Sequence, residues 1–294
     1  MWEWRPEVLV PLGLVAIASG VGWWRLSERG PRAVPRWRPV LLAGGLTAVV
    51  AALLSPIAGT AHARFSTHMI QHVLLVMLAP PLFMLADPLP AALWALPRSV
   101  RLAAGRLLAP GALVRRLWRA LTWPPAAWLV SALALWLWHL PGAYEAALRD
   151  DLLHDAEHLV LFWVGILGWW PLIGPSPRVR GHLAYSLRVV YLVLTGGQQA
   201  LLGLLLSTSP VVLYGSYEAG AAARGLSPLD DQADGGVIMW ATSGVVGLVT
   251  LMVLMYRLLA QEDRLPPIEG PPALAPVSPL PRKTLTSFLP SPHD

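Results

Sequence analysis

Four histidines of this sequence come as two pairs: His68 with His72 in HMIQH, and His154 with His158 in HDAEH. Each pair is spaced i, i+4, which on an α-helix puts both rings on one face with Cβ atoms about 6 Å apart. One face offering two imidazoles is how a helix supplies two ligands to a single metal ion. Glu157 follows His154 by three residues, near the same stripe. It is a further ligand, or the acceptor that fixes a histidine tautomer. His139 is a fifth candidate ligand. Met69 and Met239 would suit a soft ion, although methionine in an apolar helix usually packs. The chain has no cysteine, so disulfides, Fe–S clusters and thiolate sites are excluded. A soft metal would have only histidine and methionine to use. A structural reading stands beside this one, in which the same rings merely hydrogen-bond helices together.

The elements that carry these residues are built for lipid. Hydrophobic residues make up 55% of the 294 and charged residues 13%, about half the charge of a soluble domain, and the mean hydropathy is +0.54. The fifteen Trp suit a protein with many interfacial anchors. The fold class is all-α, a polytopic membrane helix bundle. Apolar runs long enough to cross about 30 Å of hydrocarbon occur at residues 7–24, 39–58, 67–86, 124–141, 152–173, 185–208 and 236–258. Residues 1–260 thus form one seven-helix transmembrane domain. The charges of the first run follow it, which favours a retained span over a cleaved leader. Residues 261–294 are a proline-rich tail, expected to be disordered or extended.

The loops set the orientation. Residues 25–38, 87–123, 174–184 and the end of the chain hold most of the arginines, while the alternate loops hold one each, Arg64, Arg149 and Arg224. By the positive-inside rule the N-terminus is outside and the C-terminus cytoplasmic. Net charge is +5, but the arginines alternate with spans, so nucleic acid is not implied. The basic, apolar stretch Arg98–Trp123 reads as one or two interfacial helices broken at Pro110–Gly111, or as an ordinary basic loop.

This topology gathers six of the eight histidines, His62, His68, His72, His139, His154 and His158, at the outer ends of spans three, four and five. His72 lies about 8 Å inside its span at 1.5 Å per residue. Polar side chains inside a bilayer are costly and face a bundle interior or a functional path. His62, alone near a helix end, is most simply interfacial. Gly196, Gly197, Gln198 and Gln199 lie within span six and suit close helix packing and bonds across helices. Asp231 and Asp234 precede span seven, where carboxylates are favoured by the helix dipole, and they would make the mouth of the site negative. No nucleophile or general base stands in a recognisable catalytic context, so the chain reads as a non-enzyme.

HMIQH with the downstream PPLFMLADPLP, then LWHLPGAYEAAL, HDAEHLVLFWVGILGWWPLIG and DQADGGVIMW, resemble in order and spacing the CtaG-type cytochrome c oxidase assembly factors of bacterial caa-type oxidase systems. The similarity covers roughly residues 40–260. It implies a multi-pass protein of the bacterial cell (inner) membrane that serves biogenesis of haem–copper oxidase through copper delivery or handling. The implied partners are oxidase subunits and the lipid bilayer, with a second copy of the chain as a further candidate. Copper, as Cu(I), is the expected ion; His68, His72, His154 and His158 are its expected ligands on the spacing argument, with His139 contributing from the end of span four. Zn or Cu(II) would also suit imidazole ligands. Three rival readings stay open. In a haem protein two of the histidines would be axial ligands. A copper or proton transporter needs a polar route continuing inward, where the inner halves of spans three to five are apolar. In a scaffold the histidines only join helices.

Overall fold

The computed structural model describes residues 2–30, 34–181 and 183–262, and among them there is no strand. The helices are α1 (Pro6–Ser27), α2 (Trp37–Leu53), α3 (Pro56–Ala61), α4 (Phe65–Val73), α5 (Ala79–Ala86), α6 (Pro88–Ala95), α7 (Arg98–Leu107) and α8 (Leu113–Leu121). They continue with α9 (Pro124–Trp138), α10 (Pro141–Arg149), α11 (Asp151–Ile173), α12 (Tyr185–Ser207), α13 (Glu218–Ala222) and α14 (Pro228–Glu262). The expected tail lies outside the described residues from 263 onward. So does His182.

Among the described residues, six helices are long and apolar enough to cross a membrane: α1, α2 with α3, α4 through α5, α11, α12 and α14. The expected fourth span is shorter than its apolar run. α9 has 15 residues, about 22 Å at 1.5 Å per residue. It reaches spanning length only together with α8, to which it is bent by 73°. The Leu140–Pro141 step ends it, because the residue before a proline is pushed out of the α region, and Leu140 is extended. The basic stretch after Pro97 forms two helices, α7 and α8, separated around Pro110–Gly111, and neither buries a residue. The loop expected at 87–123 also contains α6, which packs along α1.

Two local devices shape the third span. Pro80 and Pro81 carry no N–H, so carbonyls one turn earlier lose their partners. The helix widens into a π turn at Leu74–Leu78, and the Val76 carbonyl accepts from Trp169 Nε1 of α11 instead, at 3.1 Å. α11 comes close enough to do this because Gly165 has no side chain. A Cβ there would stand 2.9 Å from Pro80 Cγ and 3.1 Å from both Cα and O of Val76. The contact locks α11 against α5 and the π turn just below the histidines.

At the other side of the bundle, α12 and α14 pack along their length. Their close approach uses Gly203 and Gly236, where an added Cβ would meet facing backbone at 2.7 and 2.4 Å respectively. Gly196 and Gly197, expected to do this, have no atom of another helix within 4 Å of where a Cβ would stand; Gly196 lines a small gap beside Ser243 and Gly247 of α14. Their neighbours do bond across helices. Gln198 accepts from Trp136 Nε1 at 2.9 Å, and Gln199 accepts from Ser243 Oγ at 3.3 Å.

α14 begins earlier than its apolar run. Asp230 and Asp231 lie in its first turn, where negative charge complements the helix dipole, and Ser227 Oγ accepts from the Asp230 N–H at 3.3 Å. The added turns carry Asp231 to the start of α4.

Candidate metal centre

α4 and α11 both begin at the end of the bundle opposite the arginine-rich loops, and each is held at its start by a carboxylate. Asp150 Oδ1 accepts from the Leu153 N–H at 3.0 Å, a cap within α11's own sequence. α4 has no local cap. Asp231 of α14 supplies one, accepting from Phe65 N at 2.7 Å and Ser66 N at 3.3 Å and from Ser66 Oγ at 2.5 Å. Its carboxylate is therefore buried and occupied in holding α4, not lining a mouth. Asp234, a turn later, is exposed.

With both starts fixed, the i, i+4 pairs face each other. The rings of His68 and His72 are 4.5 Å apart, centre to centre, and those of His154 and His158 4.3 Å. Across the helices His68 stands 5.1 Å from His154 and 5.7 Å from His158, and His72 stands 5.7 Å from His158. His139, just past the end of α9, is 5.4 Å from His72. All five are buried, and so is Glu157, at 0% exposure. His62 is exposed, and its ring lies 4.9 Å from that of His154. It continues the row of rings outward, a role its isolated position in the sequence did not suggest.

The unsatisfied atoms define the chemistry. His68 Nε2, both ring nitrogens of His72 and of His158, Nε2 of His139 and of His154, and both oxygens of Glu157 have no hydrogen-bond partner among the described residues. His72 Nε2 lies 3.6 Å from Glu157 Oε1, too long for a hydrogen bond. Each buried polar atom left unpaired costs about 1–3 kcal/mol, and a carboxylate more. Such a concentration in one place is what a cation would relieve. Among the described residues two donor sets meet the spatial requirement, His68–His154–His158 and His68–His72–Glu157, with the ligand atoms of each set within 4.8 Å of one another. Donors 2.0–2.1 Å from a tetrahedral ion lie ~3.3 Å apart. The rings would close by at most ~1.5 Å, a side-chain adjustment. His139 is outside both sets.

Behind the ligands sits a tyrosine layer that carries no metal-binding motif and was invisible in the sequence. Tyr217 Oη lies 2.8 Å from His68 Nδ1 and 2.8 Å from Tyr144 Oη. Tyr214 donates to the His139 carbonyl at 2.8 Å and stacks on Phe65. Burial pushes the Tyr144, Tyr214 and Tyr217 phenols above the ordinary value, so they remain neutral hydroxyls. His139 Nδ1 donates to the Leu135 carbonyl at 2.7 Å, which leaves its Nε2 as the lone-pair atom. Met69 and Met239 both lie in the apolar cluster with Phe65, Leu202 and Leu206 and act there as packing. A cavity of about 1120 Å³ runs between α1, α5, α8 and α11, lined by Leu12, Leu75, Phe162 and Trp163, and reaches His158. Near that end Arg5 pairs with Asp155.

The model of the cytochrome c oxidase caa3 assembly factor family (Caa3_CtaG) matches residues 20–261. Relatives include an uncharacterized protein of Mycobacterium leprae, 27% identical over 277 residues, and one of Mycobacterium bovis, 26% identical over 271. Each alignment takes in 89% of this chain and 40% of the relative, so the chain spans about two fifths of the length of these curated relatives. No solved structure matches it significantly. The matched residues contain every residue of the histidine centre, and this chain belongs to the cytochrome c oxidase caa3 assembly factor family.

Proposed function

We propose that this membrane protein serves oxidase assembly by holding copper, as cargo, in the buried histidine centre, and that the centre faces the outer side of the bacterial cell membrane. The observation that carries the reading is the convergence of unpartnered ring nitrogens and carboxylate oxygens from His68, His72, His154, His158 and Glu157. Hydrogen bonding between helices would have paired them. Imidazole donors suit Cu(I), Cu(II) and zinc. The membrane of the oxidase and the oxidase's own need for copper favour copper. The outer orientation follows from the alternation of arginine-rich loops.

Haem fits the centre less well. Two axial imidazoles on one iron are separated by the macrocycle, whereas these rings pack directly against one another, tilted or edge to face, at 4.3–5.7 Å between centres. Passage through the bilayer is also disfavoured. Beyond His72 the buried residues Leu75, Val76 and Met77 offer no imidazole or carboxylate, so cargo would enter and leave on the same side. The test is metal analysis with an optical spectrum of detergent-purified protein after Cu(I) loading. Near-stoichiometric copper that is lost in folded His68→Ala/His72→Ala supports the reading. A Soret band would replace it with haem, and absence of copper from the wild type would sink it.

A further inference from the structure

The two donor sets share one residue, His68. Its Nδ1 is held by Tyr217 at 2.8 Å, and its Nε2 has no partner among the described residues. An imidazole bridges two ions only through both ring nitrogens. An ion held through Nε2 places the ring proton on Nδ1, where Tyr217 Oη stands to accept it, so Nε2 offers the only lone pair. The two sets therefore cannot be filled together.

On the reading that the centre holds copper, we propose that it takes one ion at a time and that His68 is a pivot, keeping hold of the ion while it moves between an outer set with His154 and His158 and an inner set with His72 and Glu157. His62 marks the outer end, since it is exposed and its ring lies 4.9 Å from His154. His72 lies one turn deeper than His68 on α4, ~6 Å along the axis. Exchange then needs only one ligand to be replaced at a time, and the ion is never released into the apolar bundle. The sets also differ in kind. The outer one is three neutral imidazoles, which suits a soft monovalent ion. The inner one includes a carboxylate oxygen, which binds a harder or more highly charged ion better. A resting ion is thus offered two environments, and a partner that competes for the outer ligands can draw it from one side.

Cu(I) titration of the purified full chain tests this, read by metal stoichiometry and by X-ray absorption of the loaded protein. The wild type should bind one copper per chain. Glu157→Gln should still bind one, with an all-nitrogen environment, and His154→Ala should still bind one, with a mixed nitrogen and oxygen environment. His68→Ala should lose at least tenfold in affinity, more than either of the others. Two coppers per wild-type chain would overturn the pivot, whatever the variants do. So would His68→Ala binding as well as the other two, or Glu157→Gln and His154→Ala giving the same spectrum. Should His68→Ala fail to fold, the wild-type stoichiometry and the contrast between the other two still decide. Copper absent from the wild type would overturn the underlying site as well, whereas copper bound with the wrong stoichiometry or ligands would overturn the pivot alone.

Discussion

A single methyl added at Gly165 tests how the centre is positioned. The Cβ of Gly165→Ala would stand 2.9 Å from Pro80 Cγ and 3.1 Å from Cα and O of Val76. Carbon atoms rest at about 3.5–4.0 Å, so α11 has to move from α5 and the π turn by roughly 0.5–1 Å. Two of the three close atoms are backbone, and no side-chain rotation relieves them. Overpacking of this kind costs about 1–3 kcal/mol. Alanine also favours any helix over glycine by about 1 kcal/mol, which would mask part of the loss. Gly196→Ala is the control. It lies in α12, meets nothing within 4 Å and shares the same helical gain. The difference between the two variants is then the packing cost alone, about 1–3 kcal/mol, with Gly165→Ala the less stable. For domains near this size that is roughly 2–4 °C in unfolding midpoint per kcal/mol. Thermal unfolding in one detergent, run on both variants, reads it. The same shift carries His154 and His158 away from His68, so Cu(I) affinity should fall at least tenfold in Gly165→Ala and stay unchanged in Gly196→Ala. Equal midpoints together with equal copper affinity would refute the claim that the Gly165 contact sets the spacing of the histidines.

Removing the cap in Asp231→Ala should cost about 0.5–2 kcal/mol in thermal unfolding, and limited proteolysis should show loosening at the start of α4. Tyr217→Phe should lower copper affinity about 10–100-fold, the range for loss of a group that orients a ligand, with no change in the number of ions bound. Glu145 accepts from Ser216 N at 3.0 Å and from Ser216 Oγ and Arg149. Partial burial opposes its charge, but these bonds outweigh it and hold its carboxyl below the usual value. Its contribution is therefore fully present above the unfolded carboxyl value and is lost as pH falls through the lower folded one. The midpoint difference between wild type and Glu145→Gln should be widest above about pH 5 and close as acid protonates Glu145. A difference that persists or grows in acid would contradict the assignment.

Much of the centre was legible because it is local. The i, i+4 spacing of His68/His72 and His154/His158 fixes one face of a helix whatever surrounds it, and apolar length marks a span in the same way. The role of Asp231 was not legible, because the helix start it caps lies 166 residues away. Tyr144, Tyr214 and Tyr217 reach the histidines from α10 and from the segment before α13, stretches with no periodic signal of their own. Glycine pairs were misleading for a related reason. Gly196–Gly197 is conspicuous in the sequence, yet contact depends on which way each residue faces a neighbouring helix, and less conspicuous glycines, Gly203, Gly236 and Gly165 among them, make the close approaches.

Composition, apolar run length and loop charge, by themselves, determined an all-helical membrane protein with histidine pairs near one end, because each of these properties is additive along the chain. Only the tertiary structure decided that the two pairs meet, that His68 belongs to both donor sets while His139 belongs to neither, and that one of His68's nitrogens is already taken. Those outcomes depend on small differences in how closely helices far apart in sequence approach one another. A Pro-induced π turn, a glycine without a Cβ and a borrowed carboxylate cap set those approaches, and no spacing rule encodes them.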